Sequence, residues 1–98
     1  MAIRSFRDRA TEDINYGRET KASRRKLSAA LHEKDRIILA RLHAAESLQD
    51  LATLPGNHFE ALKGNRRGQY SIRLNDQYRV CFEWVRGEAQ NVELVDYH

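Results

Sequence analysis

The sequence predicts a small α+β domain in which N-terminal helices pack on one face of a largely antiparallel β-sheet. Three observations carry the prediction. Apolar residues recur at helical spacing in the first half of the chain, and they alternate with polar residues in the last third. Between the two regimes, Leu54-Pro55-Gly56-Asn57 carries a chain-reversal signal. Ninety-eight residues are too few for two independent cores, so one domain spanning 1–98 is expected.

Taken in order, Ala2-Ile3-Arg4-Ser5-Phe6 alternates as a short strand does. Phe6, Ala10 and Ile14 then recur every fourth residue, which predicts a helix over 7–16 closed by Gly17. Thr20 can cap a second helix, whose stripe of Leu27, Leu31, Ile38, Leu42 and Ala45 carries it to residue 45. Its first turns hold Lys21, Arg24, Arg25 and Lys26, cations at the end where the helix dipole favours anions. That placement marks Lys21, Arg24 and Arg25 as candidate contacts to RNA or to an acidic partner, against the plainer reading of a solvated face. Ser47 to Leu51 reads as one more helical turn, and His58 to Leu62 as a short strand.

Gln69–Leu74, Gln77–Val85 and Ala89–Val95 are β-rich runs separated by Asn75-Asp76 and Arg86-Gly87. Pairing apolar Tyr70, Ile72 and Leu74 with apolar Tyr78, Val80 and Phe82 requires even position sums, hence a three-residue loop or a bulge. The same parity sets Arg73 opposite Arg79, a like-charge pair that destabilises the ladder and that a phosphate would relieve.

With 41% apolar residues and a single proline, the chain reads as globular. The one cysteine, Cys81, excludes an internal disulfide and suits a reducing cytosol. No signal-peptide core and no apolar run of about 20 residues occurs, so a cytoplasmic protein without a membrane partner is expected. Between Lys63 and Arg79 stand Lys63, Arg66, Arg67, Arg73 and Arg79 against Asp76 alone, a local excess above the +3 of the whole chain. A polyanion is the natural partner of such a field.

Leu62-Lys63-Gly64-Asn65-Arg66, Tyr70-Ser71-Ile72-Arg73, Asn75-Asp76-Gln77-Tyr78-Arg79-Val80 and the closing Asp96-Tyr97-His98 together resemble HigB-type toxins of the RelE/ParE toxin–antitoxin superfamily, also called plasmid maintenance killer proteins. The resemblance spans nearly the whole chain. It implies the small RelE-like, microbial-RNase-type fold and a toxin that cleaves messenger RNA in the ribosomal A site. It also implies a HigA-type helix-turn-helix antitoxin, through which alone the protein would meet operator DNA. By motif it carries catalytic roles to Lys63, Arg79, Asp96, Tyr97 and His98, and a basic role to Arg73. Where some members have His-Pro-Leu-Lys, this chain has Glu60-Ala61-Leu62-Lys63, which leaves both Glu60 and His58 as candidates for the missing histidine.

Metal-free RNA cleavage needs a base for the 2′-OH, charge stabilisation at phosphorus and an acid for the departing 5′-oxygen. Asp96 or Glu60 could take the first role, and His98 could move a proton near neutral pH. Lys63, Arg73 and Arg79 could neutralise the phosphate, with Arg66 and Arg67 as further RNA contacts. Tyr97 could orient or stack a base. Strict alternation, however, sends Asp96 and His98 to the core side and only Tyr97 toward the arginines, so the tail is expected to twist, bulge or leave the strand after Val95.

The helical pairs His32/Asp35 and His43/Glu46 lack further metal ligands and read as solvated helix surface. Cys81 reads as a small strand residue, and Tyr70, Tyr78, Phe82 and Trp84 as core. No Walker, Rossmann or zinc-finger spacing occurs, so no cofactor or metal is expected. The leading alternative is a ParE-like gyrase inhibitor without nuclease activity, and a third is a plain nucleic-acid-binding module.

Overall fold

In the computed structural model, which describes residues 2–96, a layer of helices covers one face of a four-stranded antiparallel sheet of order β1-β2-β3-β4. The strands are β1 (Glu60–Ala61), β2 (Gln69–Arg73), β3 (Tyr78–Val85) and β4 (Glu88–Asp96). The helices are α1 (Arg9–Asn15), α2 (Lys21–Lys26), α3 (His32–Ala44) and α4 (Leu48–Ala52). Ile14, Leu27, Leu39, Leu42 and Leu51 from the helical side meet Ile72, Val80, Phe82, Val92 and Leu94 from the sheet in one core, and Tyr70, Tyr78 and Trp84 pack at its margin. Among the described residues no helix is long and apolar enough to cross a membrane.

Each short helix has a local cause. Asp8 caps α1 by accepting from the Thr11 amide at 2.6 Å. Thr20 and Ser23 form a reciprocal capping box at α2, as Ser47 and Asp50 do at α4. Lys26 binds Asp8 at 3.1 Å and so ties the end of α2 to the start of α1.

The single helix expected from Thr20 to Ala45 is broken. Leu27 is extended (φ −151°, ψ 138°), and the chain resumes through a 3₁₀ turn at Ala29–Leu31 before α3. The break is stabilised by His32, whose Nε2–H donates to the Leu27 carbonyl (Nε2···O 2.7 Å) and approaches that of Ser23 (3.2 Å), which also accepts the Leu27 amide. His32 and Asp35 are therefore buried, 2% and 0% exposed, and not the solvated surface expected of them. The break also reverses the dipole argument. Arg24, Arg25 and Lys26 occupy the last turn of α2, where cations are favoured.

The sheet follows the parity argument. Tyr70 pairs with Phe82, Ile72 with Val80 and Arg73 with Arg79. Leu74 donates to the Tyr78 carbonyl across a three-residue loop, in which the Asn75 side chain accepts from the amides of Gln77 and Tyr78. Arg86 and Gly87, both at positive φ (53° and 79°), form the two-residue turn between β3 and β4. The expected first strand joins the sheet only by isolated parallel bridges, Ile3 to Ala89 and Phe6 to Val92. The strand expected over 58–62 contracts to Glu60–Ala61, because His58 takes a left-handed conformation (φ 44°) that interrupts pairing.

Candidate functional site

Alternation along β2 and β3 turns Tyr70, Ile72, Val80 and Phe82 to the helices, and Ser71, Arg73, Arg79 and Cys81 to the opposite face. Glu60 pairs with Ser71 and joins that face from the sheet edge. The face is therefore built by three neighbouring strands, from alternate residues of the two longer ones and from Glu60 at the edge.

Arg79 is its hub. Nε donates to Ser71 Oγ at 2.7 Å, Nη2 donates to the His58 carbonyl, and the same Nη2 stands 3.8 Å from Glu60 Oε1. Directly across the ladder, Arg73 Nη1 lies 3.3 Å from His58 Nε2, and Nη2 pairs with Asp76. A guanidinium only donates, so in this contact His58 Nε2 is the acceptor. Asn57, fully buried, holds the approach to β1. Its Nδ2 donates to the Leu51 carbonyl at 3.1 Å, and its own carbonyl accepts the Arg73 amide at 2.7 Å.

A second basic group lies toward β4. Arg66 Nη1 contacts Gln69 Oε1 at 3.0 Å and Glu93 Oε1 at 3.4 Å, while Arg7 approaches Glu93 at 3.5 Å and Glu83 at 3.8 Å. Arg7, Arg66, Gln69 and Glu93 enclose a depression of about 290 Å³ with Asn65. Cys81, 1% exposed, lies on this face, and burial raises its thiol pKa while Arg66 and Arg79 oppose the shift. The thiol stays protonated, as befits a small strand residue and not a nucleophile.

The residues singled out from sequence are thus partly gathered. Glu60, Arg73 and Arg79 converge, with His58 between the arginines. Lys63, exposed, caps the 3₁₀ turn Gly64–Arg66 just beyond β1, and Arg67 closes it. Lys21, Arg24 and Arg25 sit on α2, which packs against α1 in the helical layer and not on the open sheet face. β4 shifts register between the partners of Cys81 and Glu83 and then stays paired through Asp96, opposite Tyr78, so the strand continues one residue past Val95. Asp96 follows Tyr78 to the helix side and accepts from Gln77 Nε2 at 3.2 Å. Tyr97 and His98 lie outside the described residues.

Sequence reasoning passed over Ser71, Asn57 and Glu93. Ser71 was findable, since it shares parity with Arg73 and Arg79. Asn57 and Glu93 gave no local signal, because their roles depend on contacts 16 or more residues away in sequence (Asn57 with Arg73, Glu93 with Arg66).

Residues 4–98 match the family model described as the RelE-like toxin HigB of type II toxin–antitoxin systems. The chain belongs to the HigB-like toxin family. It is 53% identical over 53 residues to Toxin HigB-1 of Vibrio cholerae, a match covering 54% of this chain and 56% of that protein. It is 30% identical over 60 residues to Endoribonuclease HigB of Proteus vulgaris, covering 59% and 65%. The chain spans about half to two thirds of the length of the curated relatives it matches. Among solved structures, YoeB in the YoeB–YefM complex from Staphylococcus aureus superposes with a TM-score of 0.60 at 19% identity, covering 100% of this chain and 99% of that one. That likeness establishes a RelE-like fold for this HigB-like toxin.

Proposed function

We propose that this HigB-like toxin is an endoribonuclease that cuts messenger RNA on the ribosome without a metal and is held inactive by a HigA-type antitoxin. The observation that carries the reading is the Glu60 carboxylate 3.8 Å from the Arg79 guanidinium, beside an Arg73–Arg79 pair aligned across the ladder. A phosphodiester seated on the two arginines brings its neighbouring 2′-OH within reach of a proton acceptor. Glu60 takes that proton, the 2′-oxygen attacks phosphorus, and the arginines balance the charge that develops on the equatorial oxygens. The 5′-oxygen leaves with a proton from His98, with Lys63 as a further cation and Tyr97 against a base. The acceptor in this reading is Glu60 and not Asp96, which pairs with Tyr78 and follows it to the helix side. The name Endoribonuclease HigB, borne by the Proteus vulgaris relative, supports the reaction type, and solved YoeB–YefM complexes support an antitoxin partner.

The decisive experiment is primer extension on a defined message, with and without translating ribosomes, comparing the wild type with Glu60→Gln and Arg79→Ala. Ribosome-dependent cuts that fall at least about 100-fold in both variants support the site. Wild-type cleavage by Glu60→Gln would remove Glu60 from it, and an uncut message with growth still arrested would point to the gyrase-inhibiting alternative.

A further inference from the structure

A cleft of about 500 Å³ opens between α3 and the loop joining β2 to β3, within the size range of small-ligand sites. Lys34 and Arg41, exposed and two turns apart on one face of α3, form one wall, and His58 with Arg73 forms the other. Between them lie Ile38 and Leu74, 5% and 3% exposed, whose remaining surface makes an apolar floor. His58 and Arg73 also belong to the open-face site, so the cleft continues that site around the sheet edge onto the helical layer.

We infer that this cleft seats the nucleotide next to the scissile phosphate of single-stranded RNA, its base against Ile38 and Leu74 and its outer phosphate on Lys34 and Arg41. The chemistry matches on both counts. Lys34, Arg41 and Arg73 set three permanent cations against one lining carboxylate, Asp76, which is itself paired with Arg73. Ile38 and Leu74 expose a small apolar surface there, which offers the edge of an unpaired base a contact that a duplex is too wide to reach and a bare phosphate cannot use. An acidic peptide could pair with the same cations, but it has no unpaired base to set against Ile38 and Leu74. The place of this nucleotide relative to the cut rests on the endoribonuclease reading, whereas its binding does not.

The two are separated by measuring affinity apart from cleavage. Fluorescence anisotropy with a labelled six-nucleotide RNA, made uncleavable by 2′-deoxy substitution, should show Kd rising about tenfold or more for Lys34→Ala/Arg41→Ala. The control pair Arg9→Ala/Arg86→Ala removes two exposed cations elsewhere and should change Kd less than about twofold. Equal losses in the two double variants would reduce the effect to net charge and overturn the proposal. So would tighter binding of an acidic hexapeptide than of the RNA, or no measurable wild-type binding of RNA. RNA seated in the cleft by a protein that cuts no message would overturn the nuclease reading and leave the cleft standing.

Discussion

Arg73 and Arg79 face each other across the β2–β3 ladder, and both reach His58, one at its ring nitrogen and the other at its backbone carbonyl. Two guanidinium groups directly opposite repel, and His58 and the neighbouring carboxylates only partly relieve the strain. Arg73→Gln should therefore leave the thermal midpoint unchanged or slightly higher, by up to about 0.5 kcal/mol, while cleavage falls about 100-fold. A Tm lowered by several degrees would show that the pair is stabilising.

Arg79→Lys should behave differently. Arg79 joins Ser71 to His58 through separate nitrogens of one planar fork, which a lysine ammonium cannot reproduce. The variant should lose about 1–2 kcal/mol in urea unfolding together with most of its activity. Full retention of both would remove the hub from this account.

Asp76, almost fully exposed, occupies one terminal nitrogen of Arg73. Any phosphate that uses that nitrogen must first displace it. Asp76→Asn should cost less than about 0.5 kcal/mol of stability, because an exposed ion pair contributes little, yet tighten RNA binding a few-fold. The same anisotropy titration reads both signs.

Asp35 gives a pH dependence unrelated to the site. It is fully buried on α3, neither carboxylate oxygen has a hydrogen-bond partner, and burial raises its pKa to about 7 against a weak opposing pull from Arg36. The folded protein thus holds this proton more tightly than the unfolded chain. Its contribution is fully present below pH ~4 and is lost as pH rises through about 7. Asp35→Asn should leave stability nearly unchanged at pH 4 and raise it by about 2–4 kcal/mol at pH 8. Urea unfolding at the two pH values checks this, and an equal effect at both would refute it.

His32→Leu keeps the bulk of the side chain but removes the donor that meets the Leu27 carbonyl, while the Ser23 carbonyl keeps the Leu27 amide. A loss of about 1–3 kcal/mol is expected. Because α2 carries Lys21, Arg24 and Arg25 away from the open sheet face, RNA affinity should be unaffected.

The parts of the fold that were legible in the sequence are those set by period and parity. Alternation in Tyr70–Leu74 and Tyr78–Phe82 was enough to place Arg73 opposite Arg79 and to require an odd loop between them. The break after Lys26 was not legible, since Leu27 and Ile38 share the core whether or not one helix joins them, and the donor that stabilises the break is a histidine five residues on. The site divides the same way. Its cations were visible as a cluster and Glu60 as a candidate beside them, but Glu93 was not, because it reaches Arg66 from β4, 27 residues away in sequence.

β1 is only two residues long, and it forms one edge of the sheet. In the proposed reaction the proton acceptor thus sits on a short edge segment, which opens at low free-energy cost, while the arginines sit on β2 and β3. Amide exchange should be fast at Glu60 and slow at Val80. Such a reaction would have its clamp fixed in advance, with the group that completes the chemistry mounted where the chain can yield to an incoming strand of RNA.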